Sequence, residues 1–185
     1  MFSKVPFRSA VSVSGGGGGE AVPVLVLCGL EGSGKTCFAR AQTHTALTEH
    51  APTLRNRIDT CTFADPLSPG KHLKLKLVDC SGDCNAGRKW ELTIGSGVLF
   101  FVDGANRDSL PEARFELDKI IARIKGRMRI AVILNKSDLV TFCPFNDLLH
   151  ELGLEFELPT GVQVFECSVH QARGFSEAME WVIFQ

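Results

Sequence analysis

This sequence has no long apolar run: stretches such as Val98–Val102 and Ile130–Leu134 stop after five residues, where a membrane-spanning helix needs roughly 20. It has almost no net charge, −1 at neutral pH from 20 basic and 21 acidic side chains. That balance removes the electrostatic reason to expect nucleic acid or an anionic membrane as the main partner. Phe2 stands where N-myristoylation requires Gly, and the closing WVIFQ carries no prenylation cysteine, so at most peripheral membrane association is expected. No acidic residue precedes Glu20, in a stretch that holds Lys4, Arg8 and five consecutive glycines at 15–19. Basic, acid-poor character also suits an organellar transit peptide, but Pro6 interrupts the amphipathic helix such a peptide needs. A glycine run cannot offset its ordering entropy, so residues 1–20 are expected to form a flexible tail and 21–185 the folded domain. Seven cysteines, at 28, 37, 61, 80, 84, 143 and 167, cannot all pair with one another. They read as reduced intracellular thiols. Cys80 and Cys84 have no His at ligand spacing and no second pair, so no structural metal site is expected there.

What is present is a chain of 185 residues, 44% apolar and 22% charged, enough for one domain with a sizeable core. No internal repeat is visible. From Val22 onward, strand-like apolar runs alternate with helix-like segments, the pattern of a sheet covered on both faces. Strands are expected near 22–28, 57–64, 72–78, 97–103, 128–134 and 162–167. Helices are expected near 35–49, 109–125, 144–152 and 174–184, with a shorter one near 86–94. Ser109 and Glu112 have capping-box spacing, Pro111 suits a first turn, and Gly126 follows the last turn as a stop. Pro66, Ser68, Pro69 and Gly70 form a turn signal between two strand-like runs, which predicts an antiparallel hairpin. In HLKLKLV, the leucines at 73, 75 and 77 share one face and Lys74 and Lys76 the other, so one face is buried and one is wet.

Four short stretches carry chemistry. GLEGSGKT, residues 29–36, follows the apolar run VPVLVLC and has the spacing Gly, four residues, Gly, Lys, Thr. Small residues at Gly29, Gly32, Ser33 and Gly34 let successive backbone N–H groups turn inward around a phosphate at a helix start. Lys35 would reach the β and γ phosphates and the Thr36 hydroxyl would ligate Mg²⁺. By itself this loop leaves ATPases, nucleotide kinases and GTPases open. NKSD, residues 135–138, follows the run RIAVIL, where a doubly wound sheet offers its ligand crevice. The Asp138 carboxylate can accept both the ring N–H and the exocyclic amine of guanine, a donor pair that adenine lacks, with Asn135 and the Lys136 stem supporting the ring. In LVDCSGD, residues 77–83, Asp79 closes a strand and is placed to hold the Mg²⁺ shell. Gly82 would bring its N–H to a γ-phosphate, because a side chain there would block close approach. In ECSV, residues 166–169, the Ser168 N–H is expected to bond the guanine O6.

With these stretches in this order, the chain from 21 to 185 resembles the small GTPases and, within them, the Arf-like family. GLEGSGKT is similar to the family's phosphate loop, VLFFVDGAN to its strand ending in Val-Asp-Ser, and NKSDL to its Asn-Lys-x-Asp-Leu. Pro52-Thr53 stands 18 residues after Lys35 and Trp90 11 residues after Asp79, at the spacing of the family's first-switch Pro-Thr and second-switch Trp. The resemblance implies an α/β P-loop small-GTPase fold, a mostly parallel six-stranded sheet with helices on both faces. It implies GTP/GDP and Mg²⁺ as ligands, a switch recruiting effectors in intracellular trafficking, and exchange factors and GTPase-activating proteins as partners. It also implies a monomer in the cytoplasm, with peripheral contact to an internal membrane allowed. The nucleotide-binding set it implies is Gly29 to Cys37, including Leu30 and Glu31, then Gly82, Asn135, Lys136, Asp138, Cys167 and Ser168. The metal set is Thr36, Thr53 and Asp79.

Departures from the family pattern carry their own expectations. Asp83 stands where the family has Gln, so the amide that would orient an attacking water is missing and hydrolysis should be slow. If Asp83 has a catalytic role, it is a weakened one. Cys37 replaces the usual Thr or Ser, the hairpin between the switches is longer than usual, and the family's N-terminal Gly is absent. A second reading is a non-hydrolysing GTP-bound scaffold, similar to the β-subunit of the signal-recognition-particle receptor. A small-molecule kinase would need an Arg-bearing lid, which this sequence does not show.

Overall fold

The computed structural model describes residues 22–43, 56–64, 70–82, 92 and 95–184. The tail at 1–20, Pro52, Thr53, Asp83, Cys84, Trp90 and most of the helix expected near 86–94 lie outside the described residues. Among the described residues six strands form one sheet: β1 (Val24–Gly29), β2 (Arg57–Ala64), β3 (His72–Asp79), β4 (Gly97–Asp103), β5 (Arg129–Asn135) and β6 (Val162–Glu166). Four α-helices among the described residues lie between or after them: α1 (Lys35–Gln42), α2 (Leu110–Ile124), α3 (Phe145–Glu151) and α4 (Phe175–Phe184). The sheet order is β2-β3-β1-β4-β5-β6. Every pairing is parallel except β2 with β3, the expected hairpin, in which Arg57 faces Asp79 and Ala64 faces His72.

Strand alternation divides the core between two faces. Val26, Val78, Val98, Phe100 and Val132 point to the side covered by α2 and α3, where Leu117, Ile120 and Leu148 meet them. Leu25, Leu77, Leu99, Phe101 and Ile133 point to the other side, against Phe38 of α1 and Phe175 and Met179 of α4. The rings of Phe38, Phe101 and Phe175 pack with centroids 4.7–6.1 Å apart, which joins α1 and α4 to the sheet through one aromatic cluster. Because β4 and β5 are apolar on both faces, they are fully buried along nearly their whole length, as a parallel sheet between two helix layers requires. In β3 the expected division holds: Leu75 and Leu77 are buried while Lys74 and Lys76 are exposed.

Two local expectations need correction. Ser109 caps α2 without a side-chain cap bond, because a 3-10 turn at Arg107–Ser109 precedes the helix and the Ser109 hydroxyl donates instead to the Asn106 carbonyl at 2.8 Å. The helix also ends at Ile124, two residues before Gly126: Lys125 already adopts the left-handed conformation, with φ of 50°. The helix expected over 35–49 is α1 as far as Gln42, and 44–49 lie outside the described residues.

Candidate functional site

β1 lies between β3 and β4, so the chain leaves β1 at a point where the sheet's connections run in opposite directions. Such a switch point opens a crevice beyond the carboxyl ends of the strands. Among the described residues, four loops border this crevice: 29–35 after β1, 80–82 after β3, 135–138 after β5 and 167–174 after β6.

The first loop closes around its lysine. Lys35 is 5% exposed, and its ammonium donates to the carbonyls of Gly29 at 3.0 Å and Leu30 at 2.7 Å and, at 3.5 Å, to Ser33 Oγ. The Ser33 hydroxyl donates to the same Leu30 carbonyl at 2.7 Å. Glu31 and Gly32 form the exposed tip, and Cys37 lies half-buried on α1. Gly34 begins α1 with φ of 101°, and a Cβ there would fall 2.2 Å from the Asn135 side-chain nitrogen. Both the backbone angle and the space therefore require glycine. The first turn of α1 presents its N–H groups and the positive end of its dipole toward the loop.

Thr36 and Asp79 converge beside the lysine. The Thr36 hydroxyl donates to Asp79 Oδ2 at 2.7 Å, while Asp79 Oδ1 is buried and accepts no hydrogen bond. Burial pushes the Asp79 carboxyl above the usual range, against the Thr36 hydrogen bond and the Lys35 charge that lower it. A buried carboxylate oxygen without a partner, next to a hydroxyl, is a donor set suited to a hard divalent cation such as Mg²⁺. Among the described residues no three His, Cys, Asp or Glu side chains cluster as a metal site. The fit thus depends on Thr36 and Asp79 together with oxygen ligands from elsewhere. Gly82 packs against the loop after β1: a Cβ at Gly82 would lie 2.5 Å from the Glu31 nitrogen and 2.7 Å from Lys35 Nζ.

The third and fourth loops are tied to the first. Asn135 is buried; its Nδ2 donates to the Ser33 carbonyl at 2.8 Å and its Oδ1 accepts from Val169 N at 3.2 Å. Lys136 takes a left-handed φ of 71° and its ammonium bonds Asp103 Oδ2 at 2.6 Å. Asp103 in turn accepts from the Ala105 N–H. Ser168 Oγ donates to Asp138 Oδ1 at 2.5 Å, and this hydrogen bond holds the Asp138 carboxyl below its usual range.

Over residues 17–185 the chain matches the ADP-ribosylation factor family. The chain belongs to that family. Similar relatives are ADP-ribosylation factor-like protein 1 of Caenorhabditis elegans, 26% identical over 91% of each chain, and ADP-ribosylation factor-like protein 3 of Chlamydomonas reinhardtii, 28% identical over 90% of this chain and 91% of that one. ADP-ribosylation factor-like protein 10 of Mus musculus is 32% identical over 73% of this chain and 53% of its own length. Among solved structures, the Arl6 BBS3 small GTPase from Trypanosoma brucei, with a bound nucleotide analogue GppNp, matches with a TM-score of 0.68 at 21% identity, covering 86% of this chain and 94% of that one. The fold of this Arf-like chain is accordingly that of a small GTPase.

Two sequence expectations change within the fourth loop. The Ser168 N–H donates to the Arg173 carbonyl at 3.0 Å, closing a two-bond bridge, so it does not face the crevice to meet a base oxygen. The Ser168 contribution comes from its hydroxyl, on Asp138. Cys167 has a fully buried thiol, pushed by burial to about 12, and its backbone bonds Leu134 and Ser137. It forms wall, not surface. Sequence reasoning missed Asp103, Val169 and Arg173 as parts of this site. Asp103 had a signal, since it ends a strand beside NKSD, whereas the placement of Val169 and Arg173 depends on how the loop after β6 folds back.

Proposed function

We propose that this Arf-like chain is a guanine-nucleotide-dependent switch: it binds GTP or GDP with Mg²⁺, recruits effector proteins in the GTP state, and hydrolyses GTP slowly. The observation that carries this reading is Asn135, whose one buried amide joins the phosphate loop at Ser33 to the loop that holds Asp138. Phosphate recognition and base recognition are thereby parts of one rigid crevice. Lys35 holds β and γ phosphate oxygens, Thr36 and Asp79 hold Mg²⁺ together with Thr53, and Asp138 reads the guanine edge. Bound Mg²⁺ neutralises charge on the phosphate oxygens. Through Gly82, packed on Lys35 and the Glu31 nitrogen, the state of the γ-phosphate reaches the start of the second switch.

Exchange factors, activating proteins and effectors would meet the switch segments, in intracellular trafficking as the family implies. We place the protein in the cytoplasm as a monomer, with at most peripheral contact to an internal membrane. No helix among the described residues is long and apolar enough to cross one. The nucleotide retained on purification, read by mass, and the single-turnover hydrolysis rate test the whole reading; retention of ATP, or of no nucleotide, would overturn it.

Two variants address its parts. Gly82→Ala is expected to weaken GTP more than GDP, by roughly tenfold, because the added methyl cannot fit against Glu31 and Lys35 without displacing the chain at the γ-phosphate. Equal losses of GTP and GDP affinity relative to the native chain would count against Gly82 as the γ-phosphate contact. Asp83→Gln is expected to raise single-turnover hydrolysis, since a Gln supplies the amide that steadies the attacking water, and a carboxylate adds repulsion where charge must be stabilised. A native rate already matching active small GTPases and unaltered by the substitution would overturn the slow-hydrolysis assignment. No hydrolysis in either form would favour the GTP-bound scaffold.

A further inference from the structure

The loop after β6 makes one contact that base recognition, as set out above, does not use. Ser168 and Arg173 exchange backbone hydrogen bonds, each N–H to the other's carbonyl at 3.0 Å, and the Gln171 N–H donates to Ser168 Oγ at 3.0 Å. Within this closed turn Ala172 takes a left-handed φ of 51°, a conformation that L-residues with a Cβ adopt at a cost. The turn delivers the Arg173 side chain back across the crevice rim. There its Nη2 donates to Ser137 Oγ at 2.9 Å. Ser137 is the third residue of the NKSD stretch, directly before Asp138. The same guanidinium lies 3.9 Å from Glu166 Oε1, which balances its charge without a close bond. Three residues of the NKSD loop already have identified holds: Asn135 on Ser33 and Val169, Lys136 on Asp103, and Asp138 on Ser168. The fourth, Ser137, is held through its backbone, whose N–H donates to the Cys167 carbonyl at 3.1 Å, and Arg173 adds the hold on its side chain.

We propose that Arg173 is a positioning residue of the guanine crevice: by pinning the Ser137 hydroxyl it keeps the Asp138 carboxylate in register with the base edge, and so sets both how slowly a guanine nucleotide leaves and how sharply guanine is told from hypoxanthine. This inference rests on the guanine-switch reading. The discrimination follows from geometry. Hypoxanthine lacks the exocyclic amine, so it gives Asp138 one donor where guanine gives two. A carboxylate free to tilt loses the second hydrogen bond first, because two bonds to one planar edge demand a fixed angle while a single bond tolerates rotation. Since Arg173 binds Ser168 through its backbone and Ser137 through its side chain, truncating the side chain leaves the turn's own bridge in place.

The test measures dissociation of GDP and of inosine diphosphate from the native full chain and from Arg173→Ala, Arg173→Lys, Ser137→Ala and the Arg173→Ala/Ser137→Ala double variant, with ADP as a control on the native protein. The Arg173–Ser137 bond is solvent-exposed, so Arg173→Ala is expected to speed GDP release about threefold to tenfold, the range of one ordinary hydrogen bond, and inosine diphosphate release by less. The preference for the guanine nucleotide therefore narrows. Ser137→Ala should reproduce the change, the double variant should be no faster than the faster single one, and Arg173→Lys should recover part of the native rate. Thermal unfolding of the nucleotide-free chains should stay unchanged. Native release rates in Arg173→Ala, or equal acceleration for both nucleotides, would overturn the inference, as would additive single variants. A native protein that holds ADP as well as GDP would overturn the guanine reading itself and this inference with it, whereas guanine preference with an indifferent Arg173→Ala would remove the inference alone.

Discussion

Lys35→Ala is expected to lower the affinity for Mg²⁺·GTP at least a hundredfold while the nucleotide-free chain keeps its fold. The Lys35 ammonium is almost entirely removed from water, and the bonds that hold it run to two backbone carbonyls and a hydroxyl of its own loop. Neutral acceptors replace only part of the hydration an ammonium loses, and phosphate oxygens complete it with opposite charge. Each charge-assisted hydrogen bond lost is worth about 1.5–3 kcal/mol, so two phosphate contacts account for the expected loss. The folded state without nucleotide has little to lose from the change, since the deleted group is one whose burial is costly. Thr36→Asn should act alongside it by displacing the hydroxyl that meets Asp79 at 2.7 Å, removing the dependence of binding on Mg²⁺. Titration of labelled GTP with and without Mg²⁺, beside thermal unfolding of the nucleotide-free proteins, separates binding from folding. Native affinity in both variants would mean that this loop holds no phosphate.

The second large effect belongs to Asp138. In Asp138→Asn one carboxylate oxygen becomes an NH₂ group, so an acceptor facing the guanine edge turns into a donor facing a donor. One hydrogen bond is lost and a repulsive contact replaces it. The loss is about 2–4 kcal/mol for GTP and GDP, roughly thirtyfold to a thousandfold in affinity. Xanthine carries an oxygen where guanine carries the amine, so xanthosine nucleotides should bind the variant better than guanosine nucleotides do. Ser168 strengthens the expectation: its hydroxyl donates to one lone pair of Asp138 Oδ1, which orients the group and leaves Oδ2 and the second lone pair of Oδ1 for the two donors of the base. Competition between GTP, ATP and xanthosine triphosphate on native and variant protein is the measurement. Equal native affinity for ATP and GTP would remove Asp138 from base recognition.

The strands were legible because their residues repeat a simple physical pattern. Runs such as RIAVIL and VLFFV can only be buried on both faces, and HLKLKLV alternates with a period of two, so β3, β4 and β5 differ from expectation by a residue or less at each end. Helix ends were harder. The stop at Lys125 and the 3-10 turn before Leu110 follow from how the backbone meets the next strand, which capping statistics do not contain. Motifs with fixed spacing around backbone groups were readable too: Gly34 and Gly82 are glycines because another part of the chain occupies the space of a Cβ.

What the sequence determined by itself was the order of strands and helices, the family resemblance, the phosphate loop and the candidacy of Asp138, all properties of contiguous segments whose local spacing encodes their geometry. Which backbone N–H of ECSV faces the crevice depended on the bridge from Ser168 to Arg173. That Asn135 reaches Ser33 across 102 positions of sequence, Lys136 reaches Asp103, and Arg173 reaches Ser137 was decided by the tertiary structure alone. Hydrogen bonds between loops depend on distances of a few tenths of an ångström, and those distances are set only when the sheet has brought the ends of β1, β4, β5 and β6 side by side.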